Sequence, residues 1–332
     1  MRATKGLPTA LTILGLALAG LAGALIDREP AKAAGQPEDL PAWAYLWAPD
    51  FPLPPADDLP RHVPESSASF TIRQEQDLFF SPDWHPADHP PMPEVVAHGV
   101  PPGVRACGAC HRAEGTGGPE SASLAGLPAE YIVQQVADFK SGARKFSVPE
   151  GTFKLMIETA RAVSDDDIRA AANYFSALVP KPIIKVVESD VAPKTEIARF
   201  FFMVDPRGGS EPLGRRIVEV PVDLEQFELR DSRSQFIAYV PKGSVARGKA
   251  LVKGDGENGV TPCRACHAPD LKGGGPIPRI AGRSPTYVVR QLYDMKSGAR
   301  AGAGSAIMRP IAEKLSTDDM IAVAYYLATL EP

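Results

Sequence analysis

The sequence predicts a mainly α chain: two copies of one small helical unit in tandem, with a β-rich segment between them. Three observations carry that prediction. A set of residues recurs at a fixed offset, so that Tyr131, Gln135 and Gly142 answer to Tyr287, Gln291 and Gly298, each 156 positions on. Within each copy the apolar residues fall at helical spacing, as at Tyr131, Ile132, Gln135, Val136 and Phe139. Between the copies, Ile183–Val187, Phe200–Val204, Ile217–Val220 and Phe236–Val240 read as short strands broken by Pro, Gly and Asp.

Composition sets the outer bounds. The chain has 332 residues, 44% apolar and 23% charged, enough for two ordinary domains with cores, and this excludes disorder, collagen and coiled coil. A net charge of −4 argues against binding nucleic acid by phosphate neutralisation. Thirty-four prolines forecast long irregular loops.

Taken in order, residues 1–34 read as an export signal. Arg2 and Lys5 precede the uncharged run Leu7–Ile26, and Ala31-Lys32-Ala33 is a small-x-small cleavage site. Left uncleaved, the same run would be long enough to attach the protein to a membrane. Either way the remainder faces an oxidising compartment, the periplasm. Residues 35–91 are a Pro-rich extension, expected to lie over the first unit and to be stapled by Trp43, Tyr45, Trp47 and Trp84. His85, His89, Met92 and His98 nearby are potential copper ligands, but the intervening prolines deny them a regular helix and they read as surface loop residues.

The first unit spans residues 92–180. Its helix over Ala129–Lys140 precedes a last helix that starts on the capping pattern Ser164-x-x-Asp167. The connector, 181–244, is the β-rich segment, with Asp205-Pro206-Arg207-Gly208-Gly209 as one of its turns. It is expected beside the second unit, with Glu225, Glu228, Arg230, Asp231 and Arg233 on a solvated face. The second unit, 245–332, repeats the helix over Thr286–Lys296 and the cap at Ser316-x-x-Asp319.

The chemistry lies in four cysteines. Cys107-Gly108-Ala109-Cys110-His111 and Cys263-Arg264-Ala265-Cys266-His267 both read C-x-x-C-H, the signature of covalent c-type haem attachment. Two thiols at this spacing reach the two vinyl groups of one porphyrin edge, and the adjacent imidazole lies under the iron as proximal ligand. A shared zinc would need the pairs about 15–20 residues apart, whereas 152 residues separate Cys110 from Cys263. A thioredoxin-like pair has no need of His directly after the second Cys. The motifs therefore predict two covalently bound haem c groups, anchored by Cys107, Cys110, Cys263 and Cys266, with His111 and His267 as proximal ligands.

The opposite axial position separates electron transfer from catalysis. The first unit offers only Met156 after its motif; the second offers Met295, Met308 and Met320. Past a four-residue deletion the repeat offset falls to 152, which pairs Met156 with Met308 in an irregular stretch before the last helix. Met295 falls opposite Phe139 and Met320 opposite Ile168, inside helices, so both read as core. Met156 and Met308 are the expected distal ligands. Lys140/Arg144 and Lys296/Arg300 also recur, and three readings stand for them: haem propionates, acidic partners, or solvation of a helix end.

Each copy resembles a class I cytochrome c domain, with its C-x-x-C-H, its Gly/Pro-rich loop, its Tyr-bearing helix, its Met and its aromatic-bearing terminal helix. The tandem resembles the dihaem cytochrome c4 family over about residues 92–180 and 245–331. That resemblance implies two low-spin His/Met haems, electron exchange between them, and delivery to a terminal oxidase. The extension and the connector have no place in a minimal cytochrome c4, so close contact of the two haems does not follow from it. The expected function is a periplasmic carrier of single electrons between a respiratory donor and an acceptor such as a terminal oxidase. The alternative is a dedicated cytochrome subunit of a periplasmic or membrane dehydrogenase. A dihaem peroxidase would need an open distal position, against which a candidate Met in each copy argues.

Overall fold

The computed structural model describes residues 40–148, 150–255 and 259–332. The segment read as an export signal lies outside the described residues. Among the described residues no helix is long and apolar enough to cross a membrane.

After the short helix α1 (Ile72–Gln76) of the extension, the first unit comprises α2 (Glu94–Ala97), α3 (Cys107–His111), α4 (Ala129–Ser141), α5 (Thr152–Ala162) and α6 (Asp165–Ala177). Helix α4 buries Ile132, Gln135, Val136 and Phe139 along one face and stops at Gly142, whose φ of 79° only glycine adopts without strain. Helix α6 starts on Ser164, whose Oγ accepts from the Asp167 N–H at 3.1 Å, and three acidic residues in its first turn suit the positive end of the helix dipole.

The connector holds β1 (Ile184–Glu188), β2 (Val191–Pro193), β3 (Thr195–Ala198), β4 (Phe201–Val204), β5 (Ser210–Pro212), β6 (Val218–Pro221), α7 (Leu224–Glu228) and β7 (Phe236–Val240). Strand β7 is central, parallel to β1 (Ile184 opposite Phe236) and antiparallel to β6 (Val218 opposite Tyr239). Its alternate residues Phe236, Ala238 and Val240 are buried, and the last two enter the core of the second unit. The sheet thus packs beside the second unit, as expected.

The second unit comprises α8 (Ser244–Lys253), α9 (Pro285–Lys296), α10 (Arg309–Glu313) and α11 (Thr317–Ala328). Helix α9 opens on Ser284, which accepts from the Tyr287 N–H at 3.2 Å, with Pro285 in the first turn where a missing N–H costs nothing. Helix α11 carries a complete capping box between Ser316 and Asp319 and is buried nearly all round, between α8, α9 and the sheet. Helix α8 crosses it at Gly248, where a Cβ would collide with the Ala322 carbonyl.

Two expectations are corrected. The extension lies over both units, not the first alone: the Tyr45 hydroxyl donates to Asp294 of α9 at 2.7 Å, because a buried phenol needs an acceptor. The connector charges are not a uniformly solvated face. Asp231 is 0% exposed, with His85 Nε2 at 3.0 Å and Gln226 Nε2 donating at 2.6 Å, and Arg233 pairs with Asp88 of the extension at 2.7 Å. The cause is the extension itself, which folds onto this loop through Trp84; its indole N–H donates to the Leu229 carbonyl at 2.7 Å.

Candidate functional site

Helix α3 presents the first motif. Gly108 rests against Ser81 so closely that a Cβ would collide with its hydroxyl. Beside α3 opens a cavity of about 1180 Å³ lined by Cys107, Cys110, His111 and Met156 together with apolar residues such as Val136 and Phe139. The four expected groups of the first copy therefore face one space. His111 Nδ1 lies 2.8 Å from the Ala122 carbonyl oxygen. A carbonyl only accepts, so Nδ1 carries the proton and Nε2 keeps its lone pair for a metal. Burial also lowers the His111 pKa, which favours the neutral, ligating form.

The second motif begins as a single 3-10 turn, Cys263–Ala265. His267 Nδ1 lies 2.9 Å from the Pro278 carbonyl oxygen, and Pro278 stands 156 positions after Ala122. Both imidazoles are thus oriented by the same backbone device. Burial lowers the His267 pKa as well. Cys263 and Met308 pack against the core of the second unit, while Cys266 is exposed.

Met156 does not lie in an irregular stretch; it sits within α5. Apolar residues along Thr152–Ala162 fall at helical spacing and give this segment a buried face. Met308 does precede a helix, as the residue before α10. Met295 and Met320 are buried core residues, as expected.

The two copies meet directly despite the connector. Arg144 and Arg300 face each other in an antiparallel bridge, with the Lys145 N–H donating to the Ala299 carbonyl at 2.7 Å and the Ala301 N–H to the Ala143 carbonyl at 2.8 Å. Their side chains cross. Arg144 donates to Gln135 at 2.9 Å and Gln291 at 2.8 Å; Arg300 donates to Gln291 at 3.1 Å, Gln135 at 2.7 Å and the Tyr131 hydroxyl at 2.9 Å. Every member repeats at 156, so the junction has an approximate two-fold axis between the two arginines. Both guanidinium groups are buried, and their partners here are neutral.

Arg144 and Arg290 also line the cavity, and Arg290 Nε, Arg300 Nε and Gln291 Nε2 have no hydrogen-bond partner. Buried cations with spare donors beside an apolar cavity suit a flat apolar group that carries carboxylates, and that is the character of haem. Lys140 and Lys296 act otherwise. Their ammonium groups donate to the Val163 carbonyl at 2.9 Å and the Leu315 carbonyl at 3.0 Å, tying each copy's central helix to the turn before its last helix.

His85 and His89 are not the surface loop residues expected: His85 is buried and the His89 ring is covered, because carboxylates of Asp231 and Asp83 hold them. His85 is held by Asp231; His89 lies between Asp83 at 3.1 Å and the Pro90 carbonyl at 2.8 Å, and the Asp83 hydrogen bond raises its pKa. Among the described residues no group of three or more His, Cys, Asp or Glu is arranged to hold a metal ion. Sequence reasoning missed the chemical role of Gln135 and Gln291. They stood in the repeat, but a buried amide reads like any polar helix residue until its partner is known. The Ala122 and Pro278 carbonyls had no signal at all.

The family model described as Cytochrome c matches residues 104–178. Cytochrome c-554(548) of Halomonas halodenitrificans is 36% identical over 77 residues, 23% of this chain and 93% of that protein. Cytochrome c4 of Azotobacter vinelandii is 29% identical over 231 residues, 68% of this chain and 84% of the relative. A protein of Thiomonas intermedia (strain K12) named thiosulfate dehydrogenase electron acceptor is 28% identical over 234 residues, 69% and 80% of the two chains. With the duplicated motif and the duplicated imidazole support, these place the chain in the cytochrome c family, as a dihaem, cytochrome c4-like electron-transfer protein with covalently bound haem c.

Proposed function

We propose that the protein carries single electrons in the periplasm between a respiratory donor and an acceptor such as a terminal oxidase. Residues 92–180 and 245–332 are its two haem domains, and the extension and connector are structural additions to them. The observation that carries this reading is the convergence of Cys107, Cys110, His111 and Met156 on one apolar cavity. In the proposal Cys107, Cys110, Cys263 and Cys266 would form the thioether bonds to haem, and His111, Met156, His267 and Met308 would supply the ligands to its iron. Each haem supplies an iron that accepts and returns one electron.

The protein's own residues set the conditions for that exchange. The Ala122 and Pro278 carbonyls fix the imidazole rings, which limits rearrangement when the iron changes charge. Thioether ligation favours the reduced state and leaves no open position for peroxide. The buried Arg144–Gln135–Arg300–Gln291 junction joins the two domains, and Arg144 at the cavity would be placed to hold a propionate of bound haem.

The test is spectroscopic. The oxidised holoprotein should show the long-wavelength band of Met-ligated ferric haem, and Met156→Ala and Met308→Ala should each remove about half of it. A wild-type spectrum without that band would refute the ligand assignment. A second reading, the cytochrome partner of a dehydrogenase, draws support from the relative named thiosulfate dehydrogenase electron acceptor. Reduction of the holoprotein by a purified periplasmic dehydrogenase, faster than by a respiratory bc-type complex, would favour it.

A further inference from the structure

Helix α1 of the extension places in the cavity of the first motif a carboxyl that the repeat does not account for. Glu75 is 4% exposed and lines the cavity together with Cys110 and Met156, and neither of its oxygens has a hydrogen-bond partner. The backbone around it is held in place. Thr71 and Gln74 close a capping box, the Gln76 amide donates to the Pro54 carbonyl at 2.7 Å, and Ile72 packs into the cluster of Trp84 and Leu229. An unpartnered carboxylate at this depth is costly, so the neutral form is favoured. Burial raises the Glu75 pKa from 4.5 to about 8, and the fields of Arg230 and Arg112 offset only part of that.

The other charged and titratable groups on this cavity are engaged in different ways. Cys107, Cys110 and His111 are the groups expected to hold haem. Arg112, which follows the motif, donates to the Asp231 carbonyl and, at 3.0 Å, to Ser234 of the connector. Arg61 pairs with Asp57 at 2.7 Å within the extension, Arg105 and Lys154 pair with Glu158, and Arg199 lies 5.9 Å over the Trp47 ring. Arg230, after α7, keeps a buried Nη1 without a partner. Glu120 is the second carboxyl here with an unpartnered oxygen, but Arg112, Arg290 and Arg230 all act on it. Glu225 and Glu228 of α7 are exposed lining residues, as are Pro52, Leu53 and Pro54 of the extension, so the cavity opens to solvent between these two segments. Among the described residues the cavity meets the second unit at Tyr287, Arg290 and Gln291, not at Cys263 or His267. The second copy has no counterpart of α1, and Pro276 stands at the position equivalent to Glu120.

We propose that Glu75 couples a proton to the electron in the first copy alone: it takes up one proton when that copy is reduced and releases it on reoxidation. The proposal rests on the dihaem electron-carrier reading above. The step balances simply. One electron arrives from the donor and lowers the iron's charge by one unit; one proton arrives from solvent through the mouth beside Pro52 and forms the O–H bond of the carboxyl; no bond to the iron is made or broken. The cause is Coulombic. An electron added beside the cavity makes the ionised carboxylate less favourable, and a buried setting keeps that interaction strong. Reduction of the first copy therefore becomes harder as pH rises through the range in which Glu75 ionises, near pH 8, while the second copy lacks this response. A single electron shared between the copies moves toward the second in alkaline medium. The extension thus makes two repeated sites answer differently to pH.

The test follows both haems of the full loaded chain by potentiometric titration between pH 6 and pH 9, a range that brackets the ionisation of Glu75. For one haem, the one whose potential Met156→Ala displaces, the reduction equilibrium constant should fall over this range at least threefold more in the wild type than in Glu75→Gln, whose amide cannot ionise. Near pH 8 the reduced-minus-oxidised infrared difference spectrum of the wild type should gain the C=O stretch of a protonated carboxyl, which shifts in D2O and is missing from Glu75→Gln. Glu120→Gln should leave both signals in place. A wild type without that band, a pH dependence unchanged in Glu75→Gln, or its removal by Glu120→Gln overturns the proposal. Should Glu75→Gln fail to load haem, the infrared spectrum of the wild type alone decides. Fewer than two haems per chain in the wild type would instead overturn the dihaem reading.

Discussion

Glu219 shows how a single buried group makes the fold answer to pH. Its carboxylate accepts from Ser284 Oγ at 2.8 Å and from the Thr286 N–H at 3.2 Å, at the start of α9, while Oε1 has no partner. Burial pushes its pKa up from 4.5 to about 7, and the hydrogen bonds offset only part of that. The sign follows from which state ionises first. Above pH 4.5 the unfolded chain loses this proton while the folded chain keeps it, so stability falls as pH rises and levels off once the folded carboxyl ionises near pH 7. Glu219→Gln should flatten that slope, read from urea unfolding at pH 5 and pH 8. An unchanged slope would place the pH response elsewhere. At this scale the two C-x-x-C-H motifs were legible, because they encode their spacing in adjacent residues. The Ala122 and Pro278 carbonyls were not, since every residue has one.

Elements were legible where periodicity and caps agree. Helix α4 ends one residue past its expected end, and α9 starts one residue before its expected start. Both terminal helices begin on the serines that the capping pattern names. Strand β7 matches its expected span, whereas β2, β3 and β5 were too short to give an alternation. Helix α5 went unrecognised because Gly151 with φ 60° starts it in place of a capping side chain. The extension was legible only as proline-rich. What orders it is tertiary: Trp84 is 2% exposed, packs edge-on to Phe70 at 4.6 Å and is tied to Leu229 of the connector. Trp84→Ala should cost about 3–5 kcal/mol in chemical denaturation of the holoprotein and make residues 60–90 the first site of limited proteolysis. A loss below about 1 kcal/mol would show that the ion pairs of Asp88 suffice to hold the extension.

Across the whole molecule the repeat predicted two domains but not how they join. The insertion from 181 to 244 meant that close contact of the two haems did not follow from the repeat; the polypeptide copies themselves meet through Arg144 and Arg300. The same two arginines set up a test of electrostatic coupling. Removing a buried cation makes adding an electron nearby less favourable, so Arg300→Gln should lower at least one reduction potential by tens of millivolts. Because Arg144 and Arg300 share Gln135 and Gln291, the double variant should not equal the sum of the single ones. Potentiometric titration of all three reads both effects; additive shifts would mean that the arginines act independently.

The bridge between Arg144 and Arg300 has one more consequence. Its two halves are the same patch of the same unit, related as in a symmetric dimer, so the junction is isologous although it lies within one chain. Fusion holds those patches at a fixed effective concentration. Dilution therefore cannot part the two copies, and any exchange between haems held in them would be a first-order event at any concentration of the protein.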